Sequence, residues 1–429
     1  MSAFPIQKLE VWRTLSDGGR QLVGLLAQNR QGVFFQYDAD YLSSGSNPSP
    51  FSLAWTDQLQ HAPAVPHSGL HGVFADSLPD GWGMLLMDRV FRQHGIAPTQ
   101  VTAMDRLTFI GDRGMGALSY RPHSPYAETG TGEALDLQAL GMQAQALFEG
   151  QTDEVLAMLA AVGSSGGARP KAQVYLSGED FQYCRAQPLP GDQAWLVKFT
   201  PRNLPLGHEE GLCEAAWLTM AEQAGLIVPE WQLLPALGDS GARQWLALKR
   251  FDWVVDTTES AGRWHMHSAC GLLDADFRTP SLDYEDLIKA SSTLCGPSAG
   301  QRQFRRAMFN LFAVSQDDHS KNWAFLQDDS GNWSLSPFYD TTFSPNPFGE
   351  HATAYAGHGK CPSLKAIQKL AATANFATWN EARQAIEEVA SSLASFSAVA
   401  ASLGIKPATK ALIQRHLDET WKANRHLLA

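Results

Sequence analysis

Short apolar-rich runs set between polar turn residues fill the first 40 positions. Residues 9–12, 21–26 and 32–37 each read as a strand, separated by turn residues such as Ser16-Asp17-Gly18-Gly19, and together they predict a small β-rich unit. The stretch 69–83, GLHGVFADSLPDGWG, is rich in Gly, Pro and Asp and predicts an irregular loop entering a helix near 84–93. A second loop at 109–116, FIGDRGMG, precedes a polar, Pro-containing segment that runs to about residue 132 and marks a candidate boundary. Residues 134–162 carry an Ala/Leu-rich helical pattern. Strands follow at 172–176, 181–185 and 194–199, then a helix over 209–224 with Gly225 and Pro229 as stop signals, then strands at 231–234 and 244–250. Beyond about 262 the pattern is mainly helical. A helix over 299–316 puts Phe304, Met308, Leu311 and Phe312 on one face, and strands at 323–326 and 333–338 flank the turn 328–332 as a hairpin. No internal repeat is visible. The order predicts an α+β chain in three parts: an accessory subdomain over 1–130, a β-rich part over 131–255 and a helical part over 256–429.

Composition narrows the classes. The chain has 429 residues, 44% hydrophobic and 18% charged, enough to bury a sizeable core. Its 33 basic and 44 acidic residues give a net charge of −11, which argues against a broad non-specific nucleic-acid footprint. The five cysteines, Cys184, Cys213, Cys270, Cys295 and Cys361, are scattered without a CxxC pair, the expectation for reduced cytoplasmic thiols and against a disulfide framework or zinc site. The first residues, MSAFPIQKLEVW, do not form a signal peptide, and no apolar run approaches the ~20 residues of a membrane helix.

Three segments carry the chemistry. The first is 163–171, GSSGGARPK. Its glycines let backbone N–H groups approach phosphate oxygens closely, although such a run reads equally as a flexible linker, and it precedes a strand where a Walker loop opens a helix. The second is Lys198, placed mid-strand in an apolar run. Such a lysine either points to water or meets an anion. A glycine-rich loop, a strand lysine and a helix glutamate, here Glu214, occur in that order in protein kinases, though Glu214 alone reads as a solvated helix residue. The third is the most specific: Asp317-Asp318-His319-Ser320-Lys321-Asn322, followed by Pro337-Phe338-Tyr339-Asp340. Folding the intervening hairpin brings Asp317, Asn322 and Asp340 to one open end, where two carboxylates and an amide oxygen suit Mg²⁺ bridging nucleotide phosphates. Each Asp taken singly could cap a turn. His319 and Lys321 read either as turn residues or as phosphate contacts.

These residues resemble the HipA family, the serine/threonine kinase toxins of bacterial type II toxin–antitoxin systems. DDHSKNWAF and LSPFYDTT resemble its catalytic and metal-binding blocks, GSSGGARPKA its autoregulatory glycine-rich loop, WLVKF its ATP-lysine strand and LKRFD its hinge. DSLPDGWG and FIGDRGMGAL resemble motifs of its N-terminal region. The resemblance runs in order along nearly the whole chain. It implies a kinase-like, two-lobed α+β fold with a mixed, β-rich N-terminal region and a mainly helical C-terminal lobe. By the same resemblance Asp317 is the catalytic base, and Asn322 and Asp340 hold Mg²⁺. Lys198 holds the ATP phosphates, with Gly166, Gly167, Ala168 and Lys171 over them. The backbone near Lys249 and Phe251 meets the adenine, and His319 joins the nucleotide contacts. Ser164 is the implied autophosphorylation site, with Ser165 as the alternative acceptor. The family's partner is a helix-turn-helix antitoxin of the HipB type that supplies the DNA contacts, and its best-known substrates are aminoacyl-tRNA synthetases.

The expected activity is therefore ATP- and Mg²⁺-dependent phosphorylation of a protein serine or threonine in the cytoplasm, with no membrane partner. Two rivals stand beside it: a kinase for a small metabolite or lipid head group, and a non-catalytic regulator that binds an antitoxin or DNA without turnover.

Overall fold

Three amphipathic segments near the N-terminus form the strands that the sequence pattern predicts: β1 (Lys8–Thr14), β2 (Arg20–Asn29) and β3 (Gly32–Tyr37). The computed structural model describes residues 5–127, 132–155, 157–163, 166–178, 181–237, 240–255 and 261–428. With β4 (Gln60–His61) and β5 (Leu118–Arg121) these strands build an antiparallel sheet of order β4-β3-β2-β1-β5. Leu9, Val11, Val23, Leu26 and Phe35 point inward from it and pack with Phe74, Met104 and Leu107. Burial has period 2 along β3 and most of β1, and the register shift between Val11 and Trp12 breaks it on β2.

A second antiparallel sheet carries the glycine-rich region. Its strands are β6 (Lys171–Ser177), β7 (Tyr183–Arg185), β8 (Gln193–Lys198), β9 (Trp231–Pro235) and β10 (Gln244–Lys249), in the order β7-β6-β8-β10-β9. One face presents Ala172, Val174, Leu176, Trp195, Val197, Trp245 and Ala247 to a core. The helices Gly81–Gln93, Leu137–Phe148 and Ala157–Ala161 complete that core. The alternate residues Lys171, Gln173 and Tyr175, with Lys198 on β8, belong to the opposite face.

Three boundaries differ from the sequence expectation. The helix expected near 84–93 starts at Gly81, because Gly81 and Gly83 belong to its first turn. The helical pattern over 134–162 is two helices, interrupted at Gly150, whose φ of +74° an L side chain rarely adopts. The helix expected to reach 316 spans Pro297–Ala313 and stops at Val314, which is left-handed at φ 55° and ψ 37°.

The chain forms two compact units. The first takes in Met1–His208, Trp231–Asp274 and Leu326–Asn332, and contains both sheets. The second takes in Glu209–Glu230, Ala275–Phe325 and Trp333–Ala429. It is mainly helical, with Glu210–Gln223, Tyr284–Cys295, Pro297–Ala313, Leu364–Thr373, Trp379–Leu393, Phe396–Ser402 and Pro407–Asn424. The Pro297–Ala313 helix starts with proline in its first turn and buries Phe304, Met308, Leu311 and Phe312, the face its periodicity predicts. Each such side chain contributes about 1.5–3 kcal/mol of burial free energy. The Trp217 indole donates to the Ala313 carbonyl at 3.1 Å, fixing the 210–223 helix to the end of the 297–313 helix. The β-rich first and helical last parts are those of the expected α+β class. Among the described residues no helix is long and apolar enough to cross a membrane.

Candidate active site

The first unit brings together Gly166, Gly167, Ala168, Lys171 and Lys198. Lys171 opens β6 and Lys198 closes β8, so Lys198 stands at a strand end, where the sequence pattern put it mid-strand. The two lysines are direct cross-strand partners, and both are buried. Directly opposed residues of an antiparallel pair share one face with Cβ atoms about 4.5–5.5 Å apart, where like charges repel. Both lysines therefore lie on one buried face of the sheet. The Lys171 ammonium donates to the Gly166 carbonyl at 2.5 Å, which curls the loop back over the start of β6. Gly167 has a φ of +99°, which requires glycine. Ser164 and Ser165 lie outside the described residues.

The loop has supports that motif reading did not assign. The Gly167 N–H donates to the Asp80 carboxylate, the Trp82 N–H donates to the Gly167 carbonyl at 3.0 Å, and the Trp82 indole donates to the Lys171 carbonyl at 2.9 Å. DSLPDGWG, read from sequence only as an irregular loop and a family motif, is thus the wall against which the glycine-rich loop rests.

The strand end around Lys249 and Phe251 is fixed by buried charge. Arg250 donates to both oxygens of Asp252, at 3.1 and 2.5 Å, to Gln173 Oε1 at 2.8 Å and to the Gly114 carbonyl at 3.0 Å. Asp252 also accepts from the Gly116 N–H at 2.6 Å. Burial opposes charge on both groups. The Asp252 charge nonetheless raises the Arg250 pKa, and the Arg250 and Arg263 charges hold Asp252 below the usual carboxylate range. FIGDRGMG therefore docks on LKRFD through its backbone. Lys249 pairs with Trp195, so its side chain belongs to the face opposite Lys198 and Lys171. The Arg250 N–H donates to the Ala194 carbonyl at 2.9 Å, and Phe251 follows half-buried.

The second unit holds Asp317, His319, Asn322 and Asp340, and brings the first three together in one turn. The left-handed Val314 ends the helix, and a turn closed by the short 3-10 segment Ser320–Asn322 follows. A β-branched residue at positive φ is rare and is retained where surrounding structure over-determines it, commonly at functional sites. The Asp317 side chain is 71% exposed, with His319 Nε2 at 3.8 Å. The Asn322 amide donates to the Asp317 carbonyl at 2.7 Å, which orients the other end of the amide, its oxygen, as an acceptor. The Tyr339 hydroxyl donates to the Lys321 carbonyl at 2.8 Å, so Asn322 and Asp340 each follow a residue of one tight contact. Asp340 itself is left-handed, at φ 54°. Ser344 closes the arrangement: its N–H donates to the Val314 carbonyl at 3.0 Å and its hydroxyl accepts from the Asp317 N–H at 3.2 Å.

Asp318 holds this turn from beneath, a role that sequence reading missed. Its side chain is fully buried and accepts from the Tyr284 hydroxyl at 2.6 Å, His351 Nδ1 at 2.9 Å, and the N–H groups of Ala352 and Thr353 at 2.8 and 3.2 Å. Burial and the Asp318 charge push the Tyr284 pKa far above its ordinary value, so the phenol stays protonated and donates. Glu214, read alone as a solvated helix residue, is buried within the 210–223 helix.

Among the described residues no group of three or more His, Cys, Asp and Glu side chains is arranged to hold a metal ion. Mg²⁺ does not need such a cage. It is commonly held by one or two carboxylates, with phosphate oxygens and waters completing an octahedron. An amide oxygen and one carboxylate, Asn322 and Asp340, fit that donor chemistry.

A family model described as the HipA-like C-terminal domain matches residues 163–396, more than half of the chain, and the HipA N-terminal domain model matches 18–121. The chain belongs to the HipA family. Among solved structures it is similar to HipA of Shewanella oneidensis MR-1, determined in a toxin–antitoxin complex with HipB and operator DNA. That likeness has 15% identity and a TM-score of 0.66, covering 97% of this chain and 96% of that one, and it shows a shared fold. The Helicobacter pylori proinflammatory kinase CtkA aligns over 56% of this chain and 90% of its own, at 14% identity and a TM-score of 0.36, too low to bear on the fold. No curated protein sequence matches the chain. The HipA assignment drawn from GSSGGARPKA, WLVKF and DDHSKNWAF is thereby established.

Proposed function

We propose that this HipA-family chain is an ATP- and Mg²⁺-dependent protein kinase that phosphorylates serine or threonine. The observation that carries the reading is the 317–322 turn. A buried Asp318 fixes it, Asp317 projects from it into solvent, and Tyr339, the residue before Asp340, donates to the Lys321 carbonyl of the same turn. In this reading the exposed Asp317 carboxylate accepts the proton of the attacking hydroxyl. Asn322 and Asp340 hold the metal, which when bound offsets charge on the β- and γ-phosphates. Lys171 and Lys198 bind the same polyphosphate chain, and the N–H groups of the glycine-rich loop orient it. The backbone at 249–251 borders the base. Autophosphorylation is assigned to Ser164, with Ser165 as the alternative acceptor.

The partner proposed is a helix-turn-helix antitoxin. The Shewanella HipA was solved with HipB and operator DNA, and the −11 charge of this chain leaves DNA binding to such a partner. A protein substrate, with aminoacyl-tRNA synthetases as the first class to examine, is preferred over a metabolite or lipid because Asp317 stands on an exposed turn open to a macromolecule. Incubation with γ-labelled ATP and Mg²⁺, alone and with cell lysate, followed by phosphosite mapping, tests the proposal. Label on Ser or Thr of the chain and of a lysate protein is expected. Label confined to small molecules or lipid, or none at all, overturns it.

A further inference from the structure

The motif 79–83 does more than cap a helix. Asp80 occupies the N-cap position of the 81–93 helix, where an aspartate ordinarily accepts from the helix's own first-turn N–H groups. It makes no such bond here. Its carboxylate instead accepts the N–H of Gly167, 87 residues later. Trp82 adds two bonds, from its backbone to the Gly167 carbonyl at 3.0 Å and from its indole to the Lys171 carbonyl at 2.9 Å. Three backbone groups of the glycine-rich loop are therefore held by two residues of this one motif.

The fit is steric as well as polar. A Cβ on Gly81 would stand 2.7 Å from the Gly167 oxygen and from the Ala168 Cα. A Cβ on Gly166 would stand 3.1 Å from Asp80 Oδ2, and one on Gly167 would collide with the Lys171 ammonium. The loop is thus glycine-rich partly because it is clasped between Asp80 on one side and Lys171 on the other. The clasp is rigid. Trp82, Leu86, Met87 and Val90 of the 81–93 helix share a core with Ala172, Val174 and Val197 of the lysine-bearing strands.

We propose that Asp80 is a positioning residue for nucleotide binding, holding the glycine-rich loop in its phosphate-binding conformation through Gly167, with Trp82 as its second anchor. This rests on the reading of the loop as a phosphate cradle. It gives the N-terminal part of the chain a direct share in ATP affinity. Asp80 consumes the Gly167 N–H, so that group orients the loop and is not a phosphate donor. The donors come from the other loop amides and the two lysines.

The test uses the full chain and four variants: Asp80→Ala, Asp80→Asn, Trp82→Phe and Leu26→Ala. Hydrogen exchange measured without nucleotide reads the clasp directly. Asp80→Ala should lose protection at 166–171, whereas Asp80→Asn, whose amide oxygen still accepts from Gly167, should keep it. Calorimetric titration with Mg²⁺ and a non-hydrolysable ATP analogue reads the consequence. Asp80→Ala should bind about 10-fold to 100-fold more weakly, as expected for a lost charge-assisted hydrogen bond. Asp80→Asn should recover most of that affinity, and Trp82→Phe should fall between. Leu26→Ala, a truncation in the separate core of the N-terminal sheet, should lower Tm by several degrees and leave nucleotide affinity unchanged. Unchanged loop exchange in Asp80→Ala overturns the proposal, as does affinity that falls in Leu26→Ala as far as in Asp80→Ala. If the unmodified chain binds no nucleotide, the phosphate-cradle reading has failed, and the exchange data still decide whether the clasp exists.

Discussion

The glycine-rich loop is held by Asp80 and Trp82, 87 and 89 residues away in sequence. The acidic turn is held by Tyr339, Ser344, Tyr284, His351 and Thr353, all within 35 residues of the groups they bond. Both are short irregular segments that join a helix to a strand or sheet region. One depends on long-range docking and the other on a self-contained network. The acidic turn should therefore survive damage to the N-terminal part of the chain, and the loop should not. Within the turn itself, neighbouring aspartates have opposite tasks. Asp317 is 71% exposed and Asp318 is fully buried.

That last contrast gives the largest expected effect. Asp317→Ala should reduce phosphoryl transfer by ~10²–10⁴-fold, the range for losing a general base. Its exposed carboxylate contributes little to the fold, so Tm should hardly change in a thermal melt. Asp318→Ala should do the reverse at first order. It strips the acceptor from a tyrosine hydroxyl, a histidine N–H and two backbone N–H groups, at roughly 1–3 kcal/mol for each group left buried and unsatisfied. A loss of about 4 kcal/mol in denaturant unfolding is expected. If Asp317→Ala unfolds the chain while Asp318→Ala leaves it stable, the assigned roles are exchanged.

The first unit should answer to its own buried charge. Arg250→Met leaves Asp252 with Arg263 nearby and the Gly116 N–H, so the cost should sit near the low end of a broken buried pair, about 3 kcal/mol. The same variant should loosen the 114–116 loop in hydrogen exchange, while protection at 317–322 stays unchanged.

A smaller, pH-dependent effect should also be confined to the first unit. Burial lowers His71 to about 4, and burial with the Arg13 charge holds His265 well below its ordinary value. The folded state keeps both neutral. The unfolded chain takes up protons near pH 6.5, so stability is complete above that pH and declines as pH falls from 6.5 toward 4. The slope should be about 1 kcal/mol per pH unit for each group. His71→Gln should flatten the acid limb of a Tm-against-pH curve, and an unaltered limb would contradict the assignment.

Much of this arrangement is legible in the sequence, and the unread parts have a common cause. Strands β1 to β3 follow from short apolar-rich runs between turn residues, and the buried face of the 297–313 helix follows from 3.6-residue spacing. Both are local signals. The closeness of Asp317 and Asn322 is legible because they lie 5 residues apart in one turn. Asp318 was visible but its task was not, since Tyr284 and His351 approach it from both sequence directions. Asp80 was legible only as part of an irregular loop before a helix, and only the fold brings Gly167 to it. The end of the 297–313 helix was misplaced by three residues because nothing local predicts a left-handed valine.

The proposed function requires Lys198 and Asp340 each to take part in Mg²⁺–ATP binding. Calorimetric titration of ATP, with and without Mg²⁺, into the intact chain, Lys198→Met and Asp340→Ala tests it most directly. The intact chain should bind ATP more tightly with the metal, Lys198→Met should weaken binding about tenfold or more in both conditions, and Asp340→Ala should remove the metal dependence while remaining folded. Equal affinity in all three proteins, with or without Mg²⁺, would contradict the account.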